Sequence, residues 1–581
     1  MDESKQPPAD QPTTDAKVAV NDEASSTKPD SAVQLEETKH NEKPAAGVPG
    51  GLGDGSQYLP LGFRLYAITS ALMLGVFCVA LDNNIIGVAI PRITDEFHSL
   101  NDVGWYGSAY LLPGCAFQLL FGKLYSIFSV KWTYLFGLLM FEVGTVICAA
   151  GPNSTALIIG RAIAGLGSSG LFIGATLTIA QTVPLDKRPA FMGTIGGVYG
   201  IASVIGPLIG GAFTDHVTWR WCFYINLPLG AVTAAGFLLT PRPADTPASR
   251  TMTWSQIIKK LDPAGSVLFI GGIVSLLLAL QWGGLVHPWS DGRVIALLTV
   301  FAAAIVAFTV VQFFAGANAT IPRQIARQRS VAFACLFGFT IGGSFFIITY
   351  YMPLWFQAIK NDNPVEAGVH FLPFILPEIF GIIISGGLVT AFGYYNPFLI
   401  ASSVLMSIAA GLCTTLTRES SQGEWVGYQF LYGIGVGIGF QQGPIVAQTV
   451  LPPQDIAVGT AMVLFVQIFG GALFVSVAQN VFASNLVQGL ASLDIPGLDP
   501  RMVLTAGATN LRDVVPSEDL SRVLVKYNDA VVKTFQLGLI VSAISIIGAL
   551  GVQWKSVKAG VPKSDPENAK AESETGKAES S

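Results

Sequence analysis

Four ionisable residues lie inside long apolar runs of the sequence: Asp82, Glu142, Arg161 and Glu378. An ionisable side chain at the centre of a bilayer costs about 2.5–3.5 kcal/mol even on lenient insertion scales, so each one requires a partner or a role. Removal from water disfavours the charged form of a carboxylate, which allows such a group to exchange a proton near neutral pH. The three carboxylates are therefore candidates for proton binding.

Each of these residues also has a structural explanation. Asp82 could be a polar residue near the outer end of its helix, and Glu142 could pair with a neighbour. Arg161 could be a structural partner or extend its side chain to the membrane surface. Glu378 follows Pro377 in the otherwise apolar segment FLPFILPEIFGIII, where it could face a central cavity.

Glycine and proline interrupt another apolar run, GIASVIGPLIGG at 200–211. Proline has no N–H to donate and its ring presses on the carbonyl four residues back, so Pro207 predicts a bend. Gly206, Gly210 and Gly211 remove side chains and allow a neighbouring helix to approach closely. A packing groove without any role in transport is the alternative.

Amide and aromatic side chains in the apolar runs are candidates for the lining of a substrate cavity. A cavity with few fixed charges suits large, mostly apolar substrates better than sugars or phosphates. The candidates are Asn83, Asn84, Gln118, Gln181, Gln441, Gln442 and Gln448, with the aromatic residues Phe117, Tyr199, Phe345 and Tyr351.

These residues need membrane helices to hold them. The chain has 581 residues, of which 51% are hydrophobic and 12% charged, which is typical of a polytopic membrane protein. Runs of about 20 mostly apolar residues predict an all-α protein with fourteen spans. They lie near 64–90, 104–127, 132–151, 156–183, 191–213, 221–240, 263–282, 292–315, 330–356, 367–391, 397–416, 424–450, 456–482 and 534–554.

The distribution of charge predicts the orientation. Connectors that follow even-numbered spans carry more Lys and Arg than those that follow odd-numbered spans, which places both termini in the cytoplasm. Residues 1–60 and 556–581 lack apolar runs and predict disordered cytoplasmic tails, without a signal peptide. The long connector 483–533 then lies outside the cell.

An internal repeat predicts two halves. IAQTVP at 179–184 and VAQTVLP at 446–452 both follow glycine-rich stretches, so span 4 corresponds to span 12. An offset of eight predicts a six-helix repeat plus two inserted helices, with both copies in the same direction. The predicted units are a bundle at 61–240, a linker with inserted helices at 241–320, and a second bundle at 321–555. Chance similarity between glycine-rich helices is the alternative.

Several kinds of chemistry are disfavoured. The sequence has no Gly-x4-Gly-Lys-Ser/Thr loop, so uphill transport must use an ion gradient or another subunit. The six cysteines lie in or beside apolar runs without metal-ligand spacing, and the five histidines are scattered. We therefore expect no metal, no cofactor and no enzyme activity.

Several motifs occur in the order found in a known family. They are LDNNIIGVAIPRI at 81–93, GRAIAGLGSSG at 160–170, Ala202-x3-Gly206-Pro207-x2-Gly210-Gly211, WRWCFYINLPLG at 219–230, LALQWGG at 278–284 and GYYNP at 393–397. From 62 to 554 the sequence resembles the fourteen-helix drug:proton antiporters of the major facilitator superfamily, in their fungal form. The resemblance implies that Asp82 and Arg161 take part in proton coupling. It also implies that the glycine-proline segment is characteristic of exporters.

One motif departs from the family pattern. The family usually has Gly-x3-Asp-x2-Gly-Arg-Lys/Arg after span 2, but this chain has GKLYSIFSVKW, with Ser126 at the acidic position and Ser129 at the second glycine. The charged contact that the family's aspartate would make is therefore absent at this position. We expect Lys123 and Lys131 to act only as positive anchors on the cytoplasmic side.

The expected function is proton-coupled export of amphiphilic toxins, secondary metabolites or drugs by alternating access. We expect a monomer whose partners are its small-molecule substrate, protons and the lipid bilayer, with no nucleic acid. The expected location is the plasma membrane, with the vacuolar membrane as the alternative. A siderophore or other small-molecule transporter of the same superfamily, or a non-transporting membrane receptor, remains open.

Overall fold

The computed structural model describes residues 63–99, 102–239, 251–284, 287–506 and 511–559, and these residues form helices joined by short connectors. The all-α prediction is therefore confirmed for the described part of the chain. The α-helices are α1 Phe63–Phe97, α2 Val103–Ala116, α3 Gln118–Ile127, α4 Val130–Ala150, α5 Ser154–Thr182, α6 Arg188–His216, α7 Trp221–Tyr224, α8 Asn226–Leu239, α9 Trp254–Leu261, α10 Pro263–Trp282, α11 Gly292–Ala315, α12 Arg323–Ala326, α13 Arg329–Trp355, α14 Pro364–His370, α15 Leu372–Phe392, α16 Asn396–Cys413, α17 Gln422–Phe440, α18 Gln442–Val450, α19 Ile456–Ala491, α20 Pro500–Ala506, α21 Leu511–Val514 and α22 Leu520–Gly551.

Twelve helical segments of the described chain are long and apolar enough to cross a membrane. The other two predicted spans, 104–127 and 424–450, each consist of two consecutive shorter helices. Hydrogen bonds from Phe117 N to Pro113 O and from Phe121 N to Phe117 O continue across the α2–α3 junction. The α17–α18 junction falls at Gln441, because the ring of Pro444 is incompatible with a helical carbonyl at Phe440.

Two predicted boundaries are wrong. The connector 483–533 is largely helical, since α19 continues to Ala491 and α22 begins at Leu520. These extensions form because each keeps a buried apolar face, with Leu486 and Leu490 on α19 and Val523 and Leu524 on α22.

The predicted C-terminal tail also begins too early. Val557 is 1% exposed, and its backbone N–H donates to Gly393 O at 2.9 Å. Residues 556–559 are therefore packed against the end of α15. The rest of that tail, the tail 1–60 and the first part of the linker, 241–250, lie outside the described residues.

Small residues let the helices pack closely. A Cβ at Gly144 on α4 would lie 2.6 Å from Gly160 O on α5, and a Cβ at Gly548 on α22 would lie 2.6 Å from Phe337 N on α13. Helices without a strong hydrophobic drive to associate in lipid gain from such van der Waals contact. The repeated glycines of this chain thus bring the helix backbones together.

The inserted helices α10 and α11 are joined at their ends by Asp262. Its backbone is left-handed, with φ 48°, and its carboxylate accepts hydrogen bonds from Gly265 N at 3.0 Å, Gln312 Nε2 at 2.6 Å, Thr320 N at 2.9 Å and Thr320 Oγ1 at 2.8 Å. This carboxylate therefore ties the start of α10 to the segment after α11.

The two lysines expected to act only as anchors have specific contacts. Lys123 is 3% exposed and its Nζ donates to Asn318 O at 3.2 Å, next to the inserted helices. Lys131 Nζ donates to Leu238 O at 3.0 Å. Ser126, at the motif's acidic position, donates only to Lys123 O within its own helix, at 2.8 Å. Both lysines thus make specific contacts with backbone carbonyls, while their expected role as positive anchors on the cytoplasmic side stays a prediction.

Candidate functional site

A central cavity of about 1140 Å³ lies between two groups of helices. One wall comes from α1, α2, α5, α6 and the start of α3, and the other from α13, α14, α15, α19 and the end of α17. Along α6 the lining runs from Gly196 to His216, and at the same end it includes the exposed residues Val365 and Gly368 of α14. The cavity therefore opens at the end of the bundle where α6 ends.

The opposite end of the cavity is closed by direct contact between α6 and α15. A Cβ at Gly193 would lie 2.9 Å from Ile382 O and 3.4 Å from Gly386 Cα. Ala190 N donates to Thr390 Oγ1 at 3.2 Å across the same contact. Nearby, Gly122 of α3 packs against Ala461 of α19, where an added Cβ would lie 2.5 Å from Ala461 Cβ.

Aromatic rings and aliphatic side chains together form the apolar surface of the cavity. The ring of Phe345 lies 5.2 Å from that of Phe440 and 6.0 Å from that of Phe374, and Phe172 lies 6.3 Å from Tyr199, all between centroids. Two of the four aromatic residues predicted for a substrate cavity, Tyr199 and Phe345, line this one. The predictions for Phe117 and Tyr351 are wrong, since neither lines the cavity.

Four of the seven predicted amides line the cavity: Asn83, Asn84, Gln118 and Gln441. Asn84 Nδ2 donates to Ser203 Oγ at 3.2 Å, and Asn83 Nδ2 lies 3.5 Å from Tyr199 Oη. These contacts join α1 to α6 across the cavity wall.

The prediction is wrong for the other three amides, because Gln181, Gln442 and Gln448 do not line the cavity. Gln442 is fully buried, with Nε2 donating to Ile438 O at 3.2 Å. It follows Gln441 directly, and successive residues on a helix point in directions about 100° apart. One amide of this pair therefore faces the cavity and the other faces the neighbouring helices.

The sequence prediction missed Gln467, which lines the cavity from α19 and donates from Nε2 to Phe440 O at 3.2 Å. The signal was present, since Gln467 is an amide within the apolar segment VLFVQIFGG. The lining serines Ser168 and Ser169 were also missed. They lie in a glycine-rich stretch whose small residues indicate packing rather than binding.

Asp82 and Arg161 form a buried ion pair. Arg161 Nη1 donates to Asp82 Oδ2 at 2.6 Å, and neither residue is exposed. Asn226 Nδ2 donates to Asp82 Oδ1 at 3.3 Å. Arg161 Nε donates to Tyr106 O at 2.9 Å, and the guanidinium carbon lies 4.2 Å from the centre of the Tyr110 ring. The explanations of Asp82 as a helix-end residue and of Arg161 as a surface anchor are therefore wrong.

This pair lies outside the cavity lining, although Asn83 and Asn84 follow Asp82 directly and do line it. Helix α1 therefore presents its carboxylate to α5 and α8 and its amides to the cavity. The ion pair and part of the cavity wall therefore belong to the same helix.

The remaining two carboxylates occupy different surroundings. Glu378 lines the cavity from α15. Glu142 does not line it, and both of its carboxylate oxygens are buried without a hydrogen-bond partner among the described residues. The suggestion that Glu142 pairs with a neighbour is therefore not supported by its contacts.

Within the glycine-proline segment, Gly206 and Gly210 meet α1. A Cβ at Gly206 would lie 3.1 Å from Asn84 Cβ, and one at Gly210 would lie 2.8 Å from Ile85 Cγ1 and 3.0 Å from Ile85 O. Gly211 does not share this contact, because a Cβ there would approach only Val88 Cγ1, at 3.9 Å. Gly211 and Pro207 line the cavity instead.

A helical bundle around a central, mostly apolar cavity that is closed at one end is an architecture of membrane transporters. The family model of the Major Facilitator Superfamily matches residues 72–475. The chain belongs to this superfamily and is an integral membrane protein.

Relatives with high sequence identity cover most of the chain. It is 54% identical to the efflux pump aflT of Aspergillus parasiticus over 86% of this chain and 97% of the relative. It is 53% identical to the MFS-type efflux pump MFS1 of Trichophyton rubrum, over 86% and 92%. It is 50% identical to the efflux pump roqT of Penicillium rubens, over 85% and 92%.

Solved structures share the fold at low sequence identity. The human organic anion transporter MFSD10 aligns with a TM-score of 0.53 and 13% identity, over 82% of this chain and 99% of its own. A double-tryptophan mutant of XylE aligns with a TM-score of 0.55 and 11% identity, over 85% and 98%. These likenesses concern the fold alone.

Proposed function

We propose that this protein is a proton-coupled secondary transporter that exports amphiphilic small molecules by alternating access. The observation that carries the proposal is the buried Asp82–Arg161 pair on a helix whose next two residues line the cavity. The names of the relatives, which are efflux pumps from fungi, support export of toxins or secondary metabolites.

The cavity lining supports an amphiphilic substrate. Among the described residues, the lining contains aromatic rings and amides but no Lys or Arg. Phosphorylated or other multiply anionic substrates would lack a cationic partner there, whereas planar apolar molecules would contact Phe345, Phe374 and Phe440. Glu378 and Asp215 add two acidic groups to the same surface.

Proton coupling would act on the ion pair. A proton on Asp82 would remove its attraction to Arg161 and weaken the link between α1 and α5. Because α1 also carries Asn83 and Asn84, this change would reach the substrate surface directly. Glu378, inside the cavity, would then exchange protons or bind a cationic group of the substrate.

The proposed architecture has fourteen spans, with α2–α3 and α17–α18 each taken as one. Two six-helix bundles, at 61–240 and 321–555, would rock around the cavity, with α10 and α11 as the insertion. The closed end at Gly193 and Gly386 would then face the cytoplasm together with both termini. We further propose a monomer without enzyme activity, in the plasma membrane.

The test uses the full-length protein in proteoliposomes with rhodamine 6G as the probe, in the presence of an imposed pH gradient. We expect dye to accumulate in vesicles that are acidic inside, when the cytoplasmic end of the protein faces outward. A protonophore should abolish this accumulation, and ATP without a gradient should produce none. Accumulation that survives the protonophore, or transport only in the opposite direction, would overturn the proposal.

A further inference from the structure

Helices α1, α4 and α8 meet on the side of α1 that faces away from the cavity. We call this contact the rear seam and define it by Cys78 and Asp82 on α1, Glu142 on α4, and Asn226 and Gly230 on α8. The spacing within α1 and within α8 is four residues, so each helix presents these residues on one face. None of the five lines the cavity.

Glu142 occupies a space in the rear seam that only glycine at position 230 leaves open. A Cβ at Gly230 would overlap Glu142 Oε1, and it would lie 2.6 Å from Glu142 Cδ. Both carboxylate oxygens of Glu142 are buried, and no described residue donates a hydrogen bond to either. The helix packing therefore accommodates the carboxyl group without supplying partners for its charge.

The groups that face Glu142 do not compensate a negative charge. On α1, Asp82 and Cys78 are the ionisable groups near enough to interact with it. On α5, Arg161 is paired with Asp82, and on α7, the Cys222 thiol lies against Thr214 and Gly210 O of α6. On α8, Gly230 and Asn226 do not titrate. An ionised Glu142 would thus be an isolated charge in a medium of low dielectric constant, next to another carboxylate.

A second unpartnered polar group continues the rear seam along α4. Tyr134 Oη is buried without a hydrogen-bond partner among the described residues, and it lies against Gly75 of α1. Cys78 lies near both Glu142 and Tyr134. Polar groups therefore follow one another behind the cavity, from Asp82 through Glu142 and Cys78 to Tyr134.

We propose that Glu142 is a second proton-binding site, which holds a proton while Asp82 is ionised and paired with Arg161. This inference rests on the proposed proton-coupled function. Transfer of the Glu142 proton to Asp82 leaves one proton in the rear seam and releases Arg161 from its ion pair. Glu142 then becomes the carboxylate, but Asp82 beside it is now neutral, and the freed Arg161 cation lies on α5, which packs against α4. Protons would then move through the rear seam and substrate through the cavity, so that the two need not compete for one site.

The first test is infrared spectroscopy of the full-length protein at pH 7. The spectrum of wild type minus Glu142→Gln should contain the carbonyl band of one protonated carboxyl group. The matched control is Glu424→Gln at an exposed helix start, where glutamine preserves the capping box and the difference spectrum should contain a carboxylate band. A carboxylate band from Glu142 would overturn the proposal.

A second variant keeps this test decisive if Glu142→Gln does not accumulate in the membrane. Gly230→Ala adds one methyl group in the space of Glu142 Oε1 and leaves the carboxyl group in the chain. We expect it to shift or remove the protonated carboxyl band. An unchanged band would show that the band does not come from the rear seam, and the proposal would fail.

The second test is transport in the proteoliposome assay. We expect dye accumulation driven by a pH gradient to be at least tenfold lower in Glu142→Gln than in wild type, with dye binding unchanged. Glu142→Asp should recover part of this accumulation. A residue with only a structural role would lose binding together with transport. If wild type is proton-driven and Glu142→Gln has the same pH profile, this inference fails alone. If wild type is not proton-driven, the proposed function fails, whatever the infrared result.

Discussion

Arg161 Nη1 donates a hydrogen bond to Asp82 Oδ2 at 2.6 Å, in a part of the helix bundle where neither side chain is exposed. Breaking a buried ion pair by removing one partner leaves the other charge uncompensated, which costs about 3–5 kcal/mol. The pair is therefore a place where one proton can change the energy of the whole bundle.

Asp82→Asn should abolish proton coupling, because an amide of the same shape cannot exchange a proton. We expect more than a tenfold loss of pH-driven efflux and a free energy of unfolding lowered by about 3–5 kcal/mol, because Arg161 loses its counter-charge. Thermal unfolding in detergent and efflux from proteoliposomes are the two measurements. The double variant with Arg161→Gln should recover stability but not coupling. Normal pH-dependent efflux in Asp82→Asn would reduce the pair to a structural role.

Gly210→Leu should impair efflux by overpacking the contact between α6 and α1. A Cβ at Gly210 would already lie 2.8 Å from Ile85 Cγ1, and overpacking of this kind costs about 1–3 kcal/mol. That energy is enough to bias a transporter whose two states differ by a few kcal/mol. The matched control is Gly271→Leu on α10, where a Cβ has no neighbour within 4 Å. Equal efflux from the two variants would contradict the prediction.

Pro207→Ala tests the bend that proline predicts in α6, without adding bulk. The new N–H can donate to Ser203 O four residues back, which straightens the helix and moves its cavity-lining end. We expect normal accumulation in the membrane and loss of most efflux, less severe than in Gly210→Leu. Membrane content is measured by immunoblotting and efflux by dye release. If both Pro207→Ala and Gly210→Leu keep wild-type efflux, the glycine-proline segment does not mark this protein as an exporter.

Glu378→Gln should change selectivity rather than stability, because Glu378 lines the cavity and faces the substrate space. Removal of its negative charge should raise the KM for a cationic dye several-fold and leave the KM for a neutral dye of similar size almost unchanged. The two dyes are compared in the same vesicles. An equal loss of transport for both dyes would instead assign Glu378 to proton exchange.

Asp262→Ala should destabilise the attachment of the inserted helices. The Asp262 carboxylate accepts hydrogen bonds from Gly265, Gln312 and Thr320, and a typical hydrogen bond of this kind contributes about 0.5–1.5 kcal/mol. We expect a free energy of unfolding lowered by about 2 kcal/mol or more, measured by thermal unfolding. Asp262→Asn tolerates the left-handed backbone and can place its amide oxygen where Oδ2 accepts from Gln312 and Thr320, so it should lose less. A larger loss in the asparagine variant would contradict this account.

Much of the architecture was predictable because membrane helices are determined locally. A run of about 20 apolar residues must form a helix in lipid, since the backbone has no other way to satisfy its polar groups. The sequence also singled out Asp82, Glu142, Arg161 and Glu378, because placing an ionisable side chain in such a run costs free energy. The predicted boundaries failed where helices α19 and α22 extend past their apolar runs on one buried face.

The tertiary structure alone decided which way each side chain faces. In a membrane helix, lipid and protein interior are both apolar, so the sequence of α1 does not indicate that Asp82 faces α5 while Asn83 and Asn84 face the cavity. The same holds for Gln441 and Gln442. Pairing across the chain is likewise invisible locally: Asp82 and Arg161 are 79 positions apart, and Lys123 and Asn318 are 195 apart. Such partners are selected by how the helices pack, since each contact depends on the rotation of both helices.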